Sequence, residues 1–236
     1  MTSLELDLNS YSKEDALKSF DMFIGEEYSQ TPIGKFKLKA GEDTENEVIQ
    51  KFLNSETTVW YLNLDITPSS EFNFDFNKFS KKVFAIKVDN SQWVTLEDLF
   101  KIEKADEIQL SNSNFTIGHL MFIIEKWRNG WAPKWFKLRM ECEEPLDVDI
   151  YLTKIIHENT ESAPVRVSQF KTFFQFLVDD LTEYCLLRSD NWMCVVRVAE
   201  DNKCIAVTFQ CPTDLRYQLN LDPNLALFES PNAIEK

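Results

Sequence analysis

A chain of 236 residues, 44% hydrophobic and 27% charged, has the composition of a folded protein and excludes a disordered or low-complexity one. Its 39 acidic residues outnumber 25 basic ones, and the net charge of -14 repels nucleic-acid backbones and anionic membranes, so neither is expected as a partner. Five cysteines, an odd number in a chain large enough to bury a core without disulfides, predict free thiols and a reducing compartment, cytoplasmic or nuclear.

From the N-terminus, Leu4-Glu5-Leu6-Asp7-Leu8 alternates apolar and charged residues, the pattern of a half-buried strand rather than of a signal-peptide core. No apolar run reaches the ~20 residues of a membrane-spanning helix. Strand-like alternation recurs at Phe36-Lys37-Leu38, Trp60 to Leu64, Phe84 to Val88, Ile108-Gln109-Leu110 and Phe136 to Met140. Between these segments lie helix-start signals, Ser12 to Asp15, Thr44 to Glu47 and Thr95 to Asp98, in which a hydroxyl followed three residues later by an acid satisfies two orphan backbone donors. Val94 with Leu99 and Phe115 with Leu120 are spaced as hydrophobic staples, and a helix over 117–128 is predicted to stop at Gly130. The stretch 69–77, with Phe72, Phe74 and Phe76 at spacing two, reads as irregular where a helix would otherwise fall.

Taking Leu6, Leu38, Leu62, Ile86, Leu110 and Leu138 as equivalent, the segments recur at steps of about 24 to 32 residues, in the range of strand-plus-helix leucine-rich repeats. The expected fold class is therefore α/β: leucine-rich-repeat-like units over residues 1–142, forming a mostly parallel sheet with helices on one side and those residues, with Leu64 and Val88, in one buried row. Residues 143–182 read as a helical connection, with helices over 145–157 and 170–181 around a loop at 159–164. Residues 183–221 read as an antiparallel β cap built from the runs 183–188, 193–198 and 204–209, the whole forming a single domain.

Acid–base chemistry has only His119 and His157 to draw on, and five glycines leave no phosphate cradle. Cys194, Cys204 and Cys211 lack zinc-ligand spacing and read as strand-core thiols, while the acids from Glu141 to Asp149 lack the pattern of a calcium loop. The expectation is a non-enzyme without cofactor or metal. Of the abundant aromatics, Phe20, Phe23, Phe52, Phe100, Phe122 and Trp127 fall on apolar helical faces and read as core. Tyr61 and Trp135 instead alternate with the inward leucines and are expected on the open face of the sheet. The outward positions there hold six basic residues (Lys35, Lys37, Lys39, Lys87, Lys137, Arg139) and six acidic ones (Glu5, Asp7, Asp65, Asp89, Glu107, Glu141), a neutral face on an acidic body. Aromatics and Arg supply interface energy, so the candidate protein-binding residues are Lys37, Tyr61, Asn63, Lys87, Gln109, Trp135, Lys137 and Arg139.

The segments Ser91-Gln92-Trp93-Val94-Thr95-Leu96-Glu97-Asp98-Leu99 and Leu120 to Gly130, followed by Phe136-Lys137-Leu138, resemble the F-box-associated domain of nematode F-box proteins, over most of the chain. The run from Tyr184 to Val207 is similar to that family's closing β segment, whereas Trp131-Ala132 departs from its usual polar residues. The resemblance implies the substrate-recognition part of an SCF-type (cullin) ubiquitin ligase, with a target protein as partner. Its ligase adaptor would be reached only through an F-box, which is not expected within this sequence because residue 4 already opens a strand. The alternative is a stand-alone binding or inhibitory protein that sequesters its target without ubiquitin transfer.

Overall fold

The structure is a computed structural model describing residues 2–23, 33–54, 59–76, 83–142, 166–172, 181–188, 192–199 and 203–210, together with 144, 145, 148 and 190. Among the described residues ten strands form one sheet: β1 (Thr2–Asp7), β2 (Ile33–Ala40), β3 (Val59–Ile66), β4 (Val83–Val88), β5 (Ala105–Ser113), β6 (Lys137–Cys142), β7 (Arg166–Thr172), β8 (Leu181–Leu187), β9 (Met193–Val198) and β10 (Cys204–Gln210). β1 to β6 lie side by side in chain order and pair in parallel. β10, β9, β8 and β7 continue the sheet beyond β6 with antiparallel pairing. Helices α1 (Lys13–Phe23), α2 (Asn46–Leu53), α3 (Leu96–Lys101) and α4 (Ile117–Arg128) follow β1, β2, β4 and β5, so the expected α/β class with a mostly parallel sheet is what the chain adopts.

All of the leucine-row residues predicted to be buried are buried, and they share one cluster with Ile49, Phe52, Leu99, Leu120, Ile124 and Trp127 of the helices. Their register differs from the simple alignment by two residues in places. Leu6, Leu38, Leu64, Val88, Leu110 and Met140 form one row across the sheet, and Leu4, Phe36, Leu62, Ile86, Ile108 and Leu138 form the next. A slip of two keeps every side chain on its face, so the alternation that predicts burial cannot fix the register.

A third buried row stands three residues ahead of the Leu62 row: Ile33, Val59, Val83, Ala105 and Trp135. Strict alternation would send these outward, but each sits at or before a strand's first residue, where two-residue alternation has not begun. At the other end of the strands, polar side chains tie one unit to the next. Gly41 N donates to Asn9 Oδ1, Ser91 Oγ to Ser111 O at 2.8 Å, and Ser113 Oγ to Glu141 O at 2.7 Å. These bonds satisfy the hydroxyls of Ser91 and Ser113, which are fully buried. A Cβ at Gly41 would meet Asn9 Oδ1 at 2.8 Å, so a larger residue there would displace the Asn9 side chain from this bond.

Helix starts follow the sequence in part. Asp15 N donates to Ser12 Oγ, and Thr95 forms a reciprocal capping box with Asp98. At α2 the expected Thr44 cap is not used. Glu45 stands at the N-cap without a side-chain cap bond, and its carboxylate pairs with Lys13 of α1 at 2.5 Å. α4 ends as predicted: Gly130 has φ +99°, Gly130 N donates to Trp127 O, and Trp131 N donates to Lys126 O. The stretch 67–76 is irregular, and Phe72, Phe74 and Phe76 are buried there, with Trp93 stacked on Phe76 at 5.9 Å.

The expected helical connection over 143–182 is corrected: 166–172 is strand β7, which begins the antiparallel unit earlier than residue 183, and residue 170 opens no helix. The helix expected over 145–157 and the loop at 159–164 lie, save for 145 and 148, outside the described residues, as do 211–221. The three predicted β runs are present, and β10 docks on β6 with Ile205 opposite Met140. Arg188, 7% exposed at the end of β8, fastens this unit to the first. Its guanidinium donates to the Trp127 and Trp131 carbonyls at the end of α4, lies 5.2 Å over the Trp127 ring, and pairs with Asp190 through two bonds of 2.9 Å. Trp127 O already accepts from Gly130 N, so the cation adds a second, charged donor there and sits at the negative end of the helix dipole.

Candidate functional site

With the helices packed on one side of the sheet, the other side of β2 to β6 presents two adjacent rows. One runs Lys35, Tyr61, Ala85, Glu107, Lys137 and the other Lys37, Asn63, Lys87, Gln109, Arg139. Most of these residues line a single open hollow of about 660 Å³. Of the eight sequence-predicted residues, Tyr61, Asn63, Lys87, Gln109, Lys137 and Arg139 all line it. Lys37 lies in the same register row, paired with Asp65 at 3.5 Å.

Trp135 is the exception and is corrected. It is 1% exposed, and its indole N–H donates to Leu99 O in α3 at 3.0 Å. Its ring lies 5.6 Å from Phe209 and 5.9 Å from Trp131. The chain bends over 134–136 and β6 starts only at Lys137, so counting alternation back from Leu138 gives the wrong face. Phe136, next to it, is 41% exposed.

Electrostatics within the face are uneven, although its formal sum is zero. Lys39 pairs with Glu5 at 2.7 Å, Lys87 with Asp89 at 2.5 Å, and Lys137 with Glu107 at 3.3 Å. The Lys39 contact holds the Glu5 carboxyl below its ordinary value, first through the hydrogen bond and then through the charge itself. Lys35 and Arg139, both exposed, have no carboxylate partner among the described residues. The hollow is thus lined by four cations, Lys35, Lys87, Lys137 and Arg139, against the single carboxylate of Glu107.

Its apolar wall is Tyr61, 40% exposed and edge-on to Phe84 at 5.5 Å, and its floor between Tyr61 and Glu107 is Ala85. The side-chain oxygen of Asn63 is buried and has no hydrogen-bond partner among the described residues. Beyond Arg139 a second hollow of about 510 Å³ shares Gln109 and Arg139 and reaches Arg197 of β9. The open face ends there, because the outward residues Thr208 and Val195 are buried. Ser3, Lys35, Ala85 and Glu107 are the outward lining residues that the candidate set left out. Each sits at an alternate strand position recognisable as outward, but only the register shows which positions share a row.

The remaining candidates have structural occupations. His119 is half-buried and accepts the Thr116 N–H at 3.0 Å, completing the start of α4; His157 lies outside the described residues. Cys142 and Cys194 are buried. Burial, with Cys204 and Glu141 nearby, pushes the Cys142 thiol up to about 11. Cys204 is exposed, contrary to the strand-core expectation, because it occupies an outward position of β10 beside Glu141. Phe122, expected in the core, is 54% exposed on α4. The side chain of Cys185, all of Cys211, and the acids Glu143, Asp147 and Asp149 lie outside the described residues, and no metal-binding group of side chains occurs among those described. No described helix is long and apolar enough to cross a membrane. No protein-family model, curated protein or solved structure matches the chain.

Proposed function

We propose that the chain is a protein-binding module built of leucine-rich-repeat-like units, and that it serves as the substrate-recognition part of a cullin-type ubiquitin ligase. The repeat reading is supported by spacing: Val83-x-x-Ile86-x-Val88-x-x-Ser91 and Ala105-x-x-Ile108-x-Leu110-x-x-Ser113 follow the leucine-rich pattern. A polar residue fills the ninth position and bonds to the backbone of the next unit. The observation that carries the binding reading is the open face itself. The helix side of the sheet is spent on the core, while the other side offers an aromatic wall and two cations without carboxylate partners in one hollow. Surfaces that combine an aromatic anchor with Arg supply much of the energy in protein interfaces. The ligase assignment rests on the resemblance to the F-box-associated domain.

The test is affinity purification of the full-length gene product from native extract. The ligase reading expects one target to co-purify together with a cullin and its adaptor, and that target to lose ubiquitin when this chain is deleted. Capture of a target without the cullin, its level unchanged on deletion, assigns the sequestering alternative. Capture of a target that does not depend on the open face moves the interface elsewhere on the chain, and capture of no target contradicts both.

A further inference from the structure

The open face also specifies the chemistry of what it binds, provided that it is the docking surface. Lys35 on β2 and Arg139 on β6 stand four strands and one register row apart, and with strands about 4.8 Å apart their Cα atoms are separated by about 20 Å. Between them the floor dips at Ala85, flanked by Tyr61. On a chain of net charge -14, a hollow lined by four cations against one carboxylate is a place where an acidic partner is attracted. We propose that the hollow takes an extended acidic peptide segment of the partner, with carboxylates about six residues apart on Lys35 and Arg139 and an apolar side chain between them, seated over Ala85 against Tyr61.

An extended strand advances about 3.3 Å per residue, so carboxylates six positions apart span the distance between the two cations. A single phosphate fits poorly. Recognition of phosphorylated motifs gathers several Arg side chains at one point, whereas here the two uncompensated cations are at opposite ends.

The experiment uses capped, fluorescein-labelled heptapeptides of sequence Glu-Gly-Leu-Ser-Ser-Gly-Glu, whose Leu shares the face of both end glutamates. Companion peptides carry Gln at both ends, adjacent glutamates, or a phosphoserine in place of one glutamate. Binding to the full chain is followed by fluorescence polarisation and by amide shifts in NMR. The acidic peptide should bind at least tenfold more tightly than the Gln-ended and adjacent-acid peptides, and Lys35→Glu or Arg139→Glu should each erase that preference while the melting temperature stays fixed. A Lys-ended peptide should gain affinity for the Arg139→Glu variant. Equal binding of the acidic and Gln-ended peptides, no binding of either, or binding of the phosphopeptide alone overturns the proposal. These failures are distinguishable from failure of the docking surface itself: if Tyr61→Ala with Arg139→Glu still abolishes capture of the native target, the face binds and only its chemistry is misassigned.

Discussion

Replacing Trp135 by Phe separates a buried keystone from an exposed binding aromatic. The indole N–H of Trp135 donates to Leu99 O, one of the last carbonyls of a six-residue helix, which no backbone donor within α3 can reach. Phe keeps an aromatic ring among Trp131 and Phe209 but leaves that carbonyl buried and unsatisfied, at about 1–3 kcal/mol. The smaller ring also gives up on the order of 40 Å² of buried apolar surface, about 1 kcal/mol more. A total of about 2–4 kcal/mol lowers the melting temperature of a domain this size by on the order of 5–15 °C. Differential scanning calorimetry of the variant measures it, with Trp60→Phe as the control. Trp60 is 57% exposed, and its replacement should stay within ~0.5 kcal/mol. A Trp135→Phe protein that melts with the wild type would refute the inward placement of Trp135 and the packing of α3 against the start of β6.

Leu62→Ala and Leu138→Ala, each removing a side chain from one row of the core, should each cost about 2–5 kcal/mol in guanidinium unfolding, with the m-value unchanged. In native protein at pH 8, Cys204 should alkylate with iodoacetamide well before Cys142, whose thiol is pushed up to about 11 mainly by burial, and mass spectrometry of digests reads the order. Asp190 is held below its ordinary value chiefly by its hydrogen bond to Arg188. The folded state therefore favours the ionised carboxylate, and the stability it adds is present above the unfolded value of about 4 and is lost as pH falls through the lowered folded one. Asp190→Asn should flatten the acid limb of the stability profile, and an unchanged limb would remove Asp190 from the clamp.

The sheet was legible because its two main rows alternate apolar and polar residues, and an alternating strand advertises its buried face. Register was not legible, because Leu62 and Leu64 are chemically alike and a shift of two exposes nothing. Strand entrances misled for a related reason: Val59, Val83 and Trp135 are turned inward by bends that alternation does not encode. Local hydrogen bonding accounts for the helix starts. Thr95 and Asp98 carry their own geometry in three residues, whereas the Glu45 contact at α2 depends on Lys13, distant in sequence. The strand from Arg166 was missed because its partner, β8, supplies the pairing that its own composition does not announce. Six of the eight candidate site residues line the hollow because outward parity sufficed to find them. That Lys35 and Arg139 are the uncompensated charges became visible only with the ion pairs of their neighbours.

The most direct test of the docking surface is target capture by the Tyr61→Ala, Arg139→Glu double variant, measured beside its melting curve. Both side chains are exposed, and Arg139 has no ion-pair partner among the described residues, so the fold should melt within ~1 kcal/mol of the wild type. The account predicts that the variant loses its target at that nearly unchanged stability. A double variant that retains full capture would contradict it and move the interface off the open face of the sheet.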